Sequence, residues 1–425
     1  MTTTMLDAPV DTIEKHFIDG FRWALSHRDT SERRVGAELK FPLVNCDGTA
    51  ADYATVTRLW DYLAQRGWRQ DRDPASGHVV GARKPGFRND TVASCETGFC
   101  KPEFSLAHVG DLHDLVTEID DLRRELASFC EQEEVRFLCY GIQPLSDPDP
   151  ELLMKKGRTG VWNKVFDQHP VTNSELDPIP IGVHLFTVNA ASHVHVSVTM
   201  EEAVRAVNVF NGLAGAQFAL TANSSVWRGR VDRRYKDVAE KLWDWWMPAG
   251  NRTGIPERRF EDLADYVDGI TSLKPVFVKR DGRPLTLKHY GSFKDYFQSE
   301  YAVGHDIDDR DVPITPREDD IELHNSCYWF NSRVSRYYTV ENRTNDQQPP
   351  DDLPVLAALS LGLVSALNEA EEEVASHDWE DLRVAREAAC RDGLDGRGGR
   401  TPLDTLAPRP VDASQTTALS DNLQR

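Results

Sequence analysis

The sequence predicts an α+β fold, an antiparallel sheet carrying helices on its outer side, and three observations predict it. Short runs rich in β-branched and aromatic residues, at 35–44, 193–198 and 337–341, read as strands. Longer runs with apolar residues at three- and four-residue steps, above all 111–134, read as helices. The two kinds alternate irregularly, without the βαβ rhythm of a parallel sheet. Neither G-x-G-x-x-G nor a Walker loop occurs, which argues against Rossmann and P-loop nucleotide sites.

Taken in order, 35–44 is a strand whose Ala37, Leu39 and Phe41 face one way and Glu38 and Lys40 the other. Residues 54–67 form a helix with Leu59, Tyr62 and Leu63 on one side. In 111–134, Leu112, Leu115, Ile119, Leu122 and Leu126 make the apolar stripe. The run 135–142 reads as a buried strand. Segments 179–187 and 193–198 read as strands joined by a hairpin link at 190–192. Helices return at 201–212, 217–223 and 237–247. The last carries Leu242, Trp243, Trp245 and Trp246, a cluster that reads as core or interface rather than a cofactor box. Residues 260–270 and 292–300 are short helices, 321–330 and 337–341 strands, and 352–377 one helix. Residues 302–318, rich in Asp, Arg and Pro, predict a mobile loop near the site. Beyond Cys390 there is too little apolar material to offset ordering entropy. The expected organisation is a single catalytic domain, 1–392, and a disordered or peripheral tail, 393–425.

Of 425 residues, 40% are hydrophobic and 28% charged, the balance of a globular protein, and the formal net charge is −20. That acidity argues against a nucleic-acid surface, which needs a basic face. It leaves room for one basic pocket. No apolar run approaches the roughly 18 residues of a membrane span. The N-terminal residues lack the basic and apolar regions of a signal peptide, so a cytoplasmic protein without a membrane partner is expected. Seven cysteines, an odd and scattered set without C-x-x-C, read as reduced thiols. A redox role for Cys95 and Cys100 is not favoured.

Several constellations can carry chemistry. After Tyr337–Val340, Glu341 and Arg343 stand two residues apart and share a face if the strand continues. A carboxylate beside a fixed cation suits a site holding Mg²⁺ and phosphate together, and equally a plain cross-strand ion pair. Glu38 and Lys40 form a charged face needing partners or water. Glu96 and Glu103 flank a glycine turn and offer the oxygens that Mg²⁺ prefers, or form a polar hairpin end. His193 and His195 share a strand face, as a transition-metal pair, a pocket lining or a structural pair. Lys156 and Arg158 lie among glycines that can hold phosphate or a carboxylate, or form a solvated loop. Arg228 and Arg252 add cations in further loops, and their number favours an anionic ligand.

Read together, these fragments resemble a known family. Glu341, Arg343, Asp346, Gln348 and Pro349 match E-x-R-x-x-D-x-Q-P. In order, E-x-K-F at 38–41, E-F-S at 103–105, G-x-Q-P at 141–144, K-G-R at 156–158, H-V-H-V at 193–196, A-N-S at 222–224 and N-R-T-G at 251–254 accompany it. His324 and Arg333 stand at a family-like separation. The chain resembles the plant and proteobacterial type of glutamate–cysteine ligase, family 2, from about Val35 to about Gly393. The resemblance implies a glutamine-synthetase-like catalytic domain whose antiparallel sheet forms a funnel for ATP, Mg²⁺ and an amino acid. It implies an acyl phosphate that an amine converts to an amide, with glutamate and cysteine the default pair. Another acid and amine, including a peptide or small metabolite, or a non-catalytic relative that binds a ligand, is the alternative. Glu38, Glu103 and Glu341, with Glu96, would then bind Mg²⁺. Arg343 and Arg228 would offset phosphate charge, and Lys156, Arg158 and Arg252 would hold anions. His193 and His195 would line the nucleotide–metal pocket. The turn between Glu96 and Glu103 and the segment 333–341 are longer than in plant-type members.

Overall fold

The structure, a computed structural model, describes residues 8–27, 33–86, 89–165, 170–171, 179–180, 182–246 and 252–395. Its main strands are β1 (Val35–Lys40), β2 (Arg69–Arg72), β3 (Val79–Lys84), β4 (Thr91–Cys95), β5 (Pro102–Ser105), β6 (Ser192–Ser197), β7 (Phe277–Arg280), β8 (Arg283–Thr286), β9 (Ala302–His305), β10 (Asp311–Ile314), β11 (Ser332–Val334) and β12 (Thr339–Asn342). Eight of them form one sheet in the order β11-β12-β6-β1-β5-β4-β3-β2, with every neighbouring pair antiparallel.

Alternation gives this sheet two unlike faces. Ala37, Leu39, Ala93, Phe104, Val194, Val196 and Val340 are buried on one. Helices α1 (Tyr53–Ala64), α2 (Leu112–Glu133), α3 (Met200–Gly212) and α4 (Leu353–Ser365) cover that side. α3 lies against β11 and β12, α4 against β6 and β1, and α1 against β2 and β3. Glu38, Lys40, Glu103, His193, His195, Arg333 and Glu341 occupy the alternate positions. The predicted α+β class, with an antiparallel sheet and helices on its outer side, is what the chain forms.

The helices start where their caps dictate. Asp52 accepts the Thr55 amide at 2.7 Å ahead of α1, and Asp111 accepts the His113 amide ahead of α2. Thr199 and Glu202 form a capping box at the start of α3, satisfying two orphan N–H groups reciprocally. α2 ends at Glu134, whose φ of 54° is left-handed.

Several predicted elements differ. Residues 302–318 are not a loose loop: β9 and β10 form a hairpin, with Ala302 opposite Ile314 and Ala302 and Ile314 both buried. β7 and β8 extend it to a four-stranded sheet. Their turn uses Asp281 and Gly282 at φ 50° and 75°, the left-handed pair that a tight hairpin requires. Residues 321–330 are not one strand. Asp319–Asn325 is helical, its first turn carrying Asp319, Asp320 and Glu322 where the helix dipole favours acids, and only Trp329–Phe330 is extended. The segment 352–377 breaks at Ala366 into α4 and Leu367–Ala375, bent by 83°, so that α4 lies on the sheet and the second piece on α3. Only Val135–Phe137 of 135–142 is strand, because Leu138 and Gly141 donate to Pro42 and Asn223 instead of one partner strand. Residues 183–187 form a 3₁₀ turn, and Ser192 opens β6 rather than a hairpin link. An N-terminal helix, Ala8–Ser26, has no counterpart in the sequence reading. The predicted tail, 393–425, falls outside the described residues beyond Asp395.

Among the described residues no single helix is long and apolar enough to cross a membrane; the bent pair beginning with α4 passes by length and composition. α4 buries Leu353, Leu356, Ala357 and Val364 in the core.

Phe104 is fully buried and meets Phe41 and Phe137 at ring distances of 6.2 and 5.9 Å. Phe104→Ala should lower the unfolding free energy by about 3–5 kcal/mol in a urea titration. A loss below about 1 kcal/mol would show that this face is not the core the sheet rests on.

Candidate active site

Five adjacent strands bring the charges of the polar face together. The register sets Glu38 opposite His193, Lys40 opposite Glu103, His195 opposite Glu341, and Arg333 opposite Glu341. Directly opposed residues hold their Cβ atoms about 4.5–5.5 Å apart, so these side chains must interact. Arg343 follows β12 and turns back to Glu341, as its two-residue offset predicts.

Glu341, 2% exposed, accepts from Arg333 Nε at 2.7 Å on one oxygen and from Arg343 on the other. Burial pushes its carboxyl up, yet the two guanidiniums and His193 hold it well below the usual range. Lys40 Nζ lies 3.3 Å from Glu38, 3.1 Å from Glu103 and 3.0 Å from His193 Nδ1. Burial opposes its charge, but Glu103 and Glu38 win and the ammonium stays charged. His193 Nδ1 lies among Lys40, Glu38 and Glu341, and burial with the charges of Lys40 and Arg343 depresses its basicity. His195 goes the other way: against burial, its Nε2 contact to Glu38 at 3.2 Å raises its basicity. Glu38 is depressed despite burial by Lys40 and the two imidazoles. Glu103 is pushed up to about 7 by burial, with Lys40 opposing and Glu96 and Glu38 adding to the rise. Its Oε2 faces Lys40 without accepting a well-angled hydrogen bond.

The donor set fits a divalent cation. Glu38, His195 and Glu341 each offer a ligand atom, all within 4.8 Å of one another, and among the described residues they alone do so. Two carboxylates suit Mg²⁺ or Mn²⁺; the imidazole favours the latter. The face opens into a cavity of about 200 Å³. Lys101, Arg158, Arg333 and Arg343 make one wall cationic, and Trp162, Trp243, Trp246 and Trp329 make another aromatic.

Comparison with known proteins adds one decisive match: the model of glutamate–cysteine ligase family 2 covers residues 70–407, about four fifths of the chain. The chain belongs to glutamate–cysteine ligase family 2. Solved structures similar to it include a bifunctional glutathione synthetase from Pasteurella multocida (11% identity, 92% of this chain, 48% of that chain, TM-score 0.41). Glutamate–cysteine ligase from Francisella tularensis in complex with AMP is another (10% identity, 86% of this chain, 72% of that chain, TM-score 0.46). The chain spans about half the length of the glutathione synthetase. No curated protein matches it at a significant level.

The family match begins after β1, so Glu38 and Lys40 join its segments through the register with His193 and Glu103. Of the predicted metal ligands, the structure brings Glu38 and Glu341 together and adds His195. It places Glu103 across Lys40. Glu96 stands half-exposed at the rim, 3.8 Å from Arg158. Of the predicted anion-holding groups, Arg343 and Arg158 line the cavity. Lys156 ends the loop ahead of helix Gly157–Val165 and does not line it; burial and Arg158 lower its pKa to about 8. Arg228 pairs with Asp147 at 2.8 Å, away from the cavity. Arg252 is buried beneath the floor, donating to the Cys327 carbonyl at 2.7 Å and to Lys274. His324 is also structural: it meets the Ile270 carbonyl at 2.8 Å and stacks on Phe293, and burial lowers it to about 3. Cys95 and Cys100 are free buried thiols, both pushed up by burial, Cys100 to about 12.

Lys40 and Arg333 are the principal groups that the sequence-based site assignment left out. Lys40 was legible by its alternation with Glu38; Arg333 stood only in the family resemblance, at its separation from His324, without an assigned role. Lys101, lowered to about 8 by burial and bonded to Asn189 at 2.8 Å, had no signal at all. Trp243 and Trp246 line the cavity although their cluster read as core or interface.

Because the fold favours protonated Glu103, its contribution to stability is greatest below the ordinary value of 4.5, falls as pH rises towards about 7, and is flat above. The stability of wild type minus that of Glu103→Gln, measured by denaturant unfolding at each pH, should fall across that window. A difference independent of pH would contradict this placement.

Proposed function

We propose that the chain is an ATP- and Mg²⁺-dependent ligase that joins a carboxylate to an amine through an acyl phosphate, with glutamate and cysteine as the default substrates. The observation that carries this reading is the meeting of Glu38, His195 and Glu341 with Arg333 and Arg343 on the polar face of the sheet, where all but His195 line the cavity. Two anions, a carboxylate and a triphosphate, must approach each other, so fixed positive charge has to be in place beforehand.

A substrate carboxylate oxygen forms a bond to the γ-phosphorus of ATP, and the bond to the β–γ bridging oxygen breaks, releasing ADP. The amine nitrogen then bonds to the acyl carbon, inorganic phosphate leaves with the C–O electron pair, and the nitrogen loses a proton. Bound Mg²⁺ would neutralise phosphate charge, with Glu38, His195 and Glu341 holding it. Arg333 and Arg343 keep Glu341 ionised and oriented. Arg158 and Lys101 offset charge on the transferring phosphoryl group. The aromatic wall excludes water, which would otherwise hydrolyse the acyl phosphate. The catalytic unit is taken as 1–392 with 393–425 outside it, although the family match runs past that boundary.

A second reading keeps the chemistry and changes the amine. It is favoured by the aromatic wall of Trp162, Trp243, Trp246 and Trp329, more apolar surface than a cysteine side chain can cover. A non-catalytic relative is disfavoured, since a buried cluster of charge is costly to keep without use.

ADP release measured over acid and amine pairs separates these readings. Turnover with glutamate and cysteine supports the default, and turnover only with other pairs supports the second. No binding of a non-hydrolysable ATP analogue with Mg²⁺, read by calorimetry, sinks the ligase assignment. Glu341→Gln should cut ADP release at least ~100-fold in the folded fraction. It should also cost about 3 kcal/mol of stability, because Arg333 and Arg343 lose a buried partner. Arg343→Lys should be similarly inactive, as an ammonium cannot reproduce the planar fork. Folded variants within tenfold of wild type would leave these residues a structural role only.

A further inference from the structure

The cavity has a second, acidic end that the proposed phosphoryl chemistry does not use. Asp237, Glu240 and Asp346 line it and are 1%, 8% and 3% exposed. Nearby cations are already engaged. Arg386 bonds Glu240 and Asp244, and Lys241 bonds Asp244 at 3.0 Å and Glu387 at 2.7 Å. Neutral donors serve the other two acids. Asp237 Oδ1 accepts the Glu240 amide at 2.8 Å and the Ser224 hydroxyl at 3.3 Å. Asp346 Oδ2 accepts the Asn223 amide at 2.6 Å and lies 2.8 Å from the same hydroxyl, whose single hydrogen goes to one of the two acids at a time.

Two observations mark this end as built for a ligand. Asp237 Oδ2 is buried without any hydrogen-bond partner. Asn345, 1% exposed and lining the same cavity, has neither side-chain atom hydrogen-bonded. A buried polar atom left unpaired costs roughly 1–3 kcal/mol, so a fold keeps such atoms where something else will satisfy them. The acids are not gathered as a metal chelate: among the described residues only Glu38, His195 and Glu341 are.

We propose that Asp237 and Asn345, backed by Asp346 and Glu240, form a subsite for a primary ammonium group of a substrate. This rests on the ligase reading for its place in the reaction. An alkylammonium has three N–H donors and no acceptor, matching the free Asp237 oxygen and the Asn345 carbonyl. The Asn345 amide nitrogen remains to serve an oxygen of the same molecule. Trp243 and Trp246 line the adjoining wall and cover the methylenes next to the charge. The ammonium belongs either to the acid that is phosphorylated or to the incoming amine, and the chemistry of the subsite is the same for both.

Calorimetric titration of the full chain with butylammonium chloride tests it, with 1-butanol as the neutral control. Saturable heat with the ammonium and none with the alcohol is expected. Asp237→Asn removes the charge while keeping the Oδ1 cap, and Asn345→Leu removes both unpaired atoms without breaking a hydrogen bond. Each should weaken binding about tenfold or more. Saturating L-glutamate that abolishes butylammonium binding identifies the donor's ammonium; glutamate that binds and leaves it intact identifies the acceptor's amine. Absence of saturable heat in wild type, or wild-type affinity in a folded Asp237→Asn, overturns the subsite. ATP-analogue binding in the same samples reports separately on the ligase reading.

Discussion

The register of β12, β6, β1 and β5 is the constraint on which everything else depends. Side chains in a strand alternate with a period of two, so a slip of one residue would carry every charge of the site into the core and every core residue into the cavity. Val35, Ala37, Leu39, Val194, Val196 and Val340 hold that register from below, against the helices. Buried apolar area on one face thus sets the geometry of ionisable groups on the other. Asn342 and Gln347 reinforce it: Asn342 bonds Gln217 and Ser360, and Gln347 bonds the Lys40 carbonyl at 2.8 Å and Ser192 at 2.7 Å.

The face is also balanced in charge. Once Glu103 has lost its proton, Glu38, Glu103 and Glu341 oppose Lys40, Arg333 and Arg343, and each carboxylate has at least one cation within 3.3 Å. A balanced cluster tolerates burial, whereas an isolated charge does not. A metal ion and a phosphate preserve that balance only if they enter together, which suits a site that takes the metal–nucleotide complex. Lys40 has a special place, because its ammonium sits between two of the carboxylates expected to bind metal. It supplies internally some of the positive charge that a further cation would otherwise bring.

Much of this was legible in the sequence where the signal is local. The offsets Glu38–Lys40, His193–His195 and Glu341–Arg343 each encode a shared strand face; the structure keeps the first two within strands, and Arg343, one residue past β12, turns back to Glu341. The helices with strong three- and four-residue spacing, such as α2, needed only their caps to be placed. Long-range partners were not legible. Arg333 faces Glu341 because β11 pairs with β12, and nothing in its own neighbourhood announces that. Arg228 and Arg252 looked like anion ligands because an arginine in a glycine-bearing loop carries no mark of what it will meet; one found Asp147 and the other two backbone carbonyls. The β7–β10 sheet was missed although Asp281-Gly282 is a strong hairpin signal, because polar composition from 302 onward masked the alternation of buried Ala302 and Gly304.

Electron spin-echo spectroscopy of Mn²⁺ added with ADP tests the central claim most directly. If Glu38, His195 and Glu341 close around one cation, the spectrum carries the modulation of a directly bound imidazole nitrogen, and His195→Gln removes it while leaving Mn²⁺ bound. Bound Mn²⁺ without nitrogen modulation in the wild type, or modulation that persists in His195→Gln, would place the metal elsewhere and contradict the account.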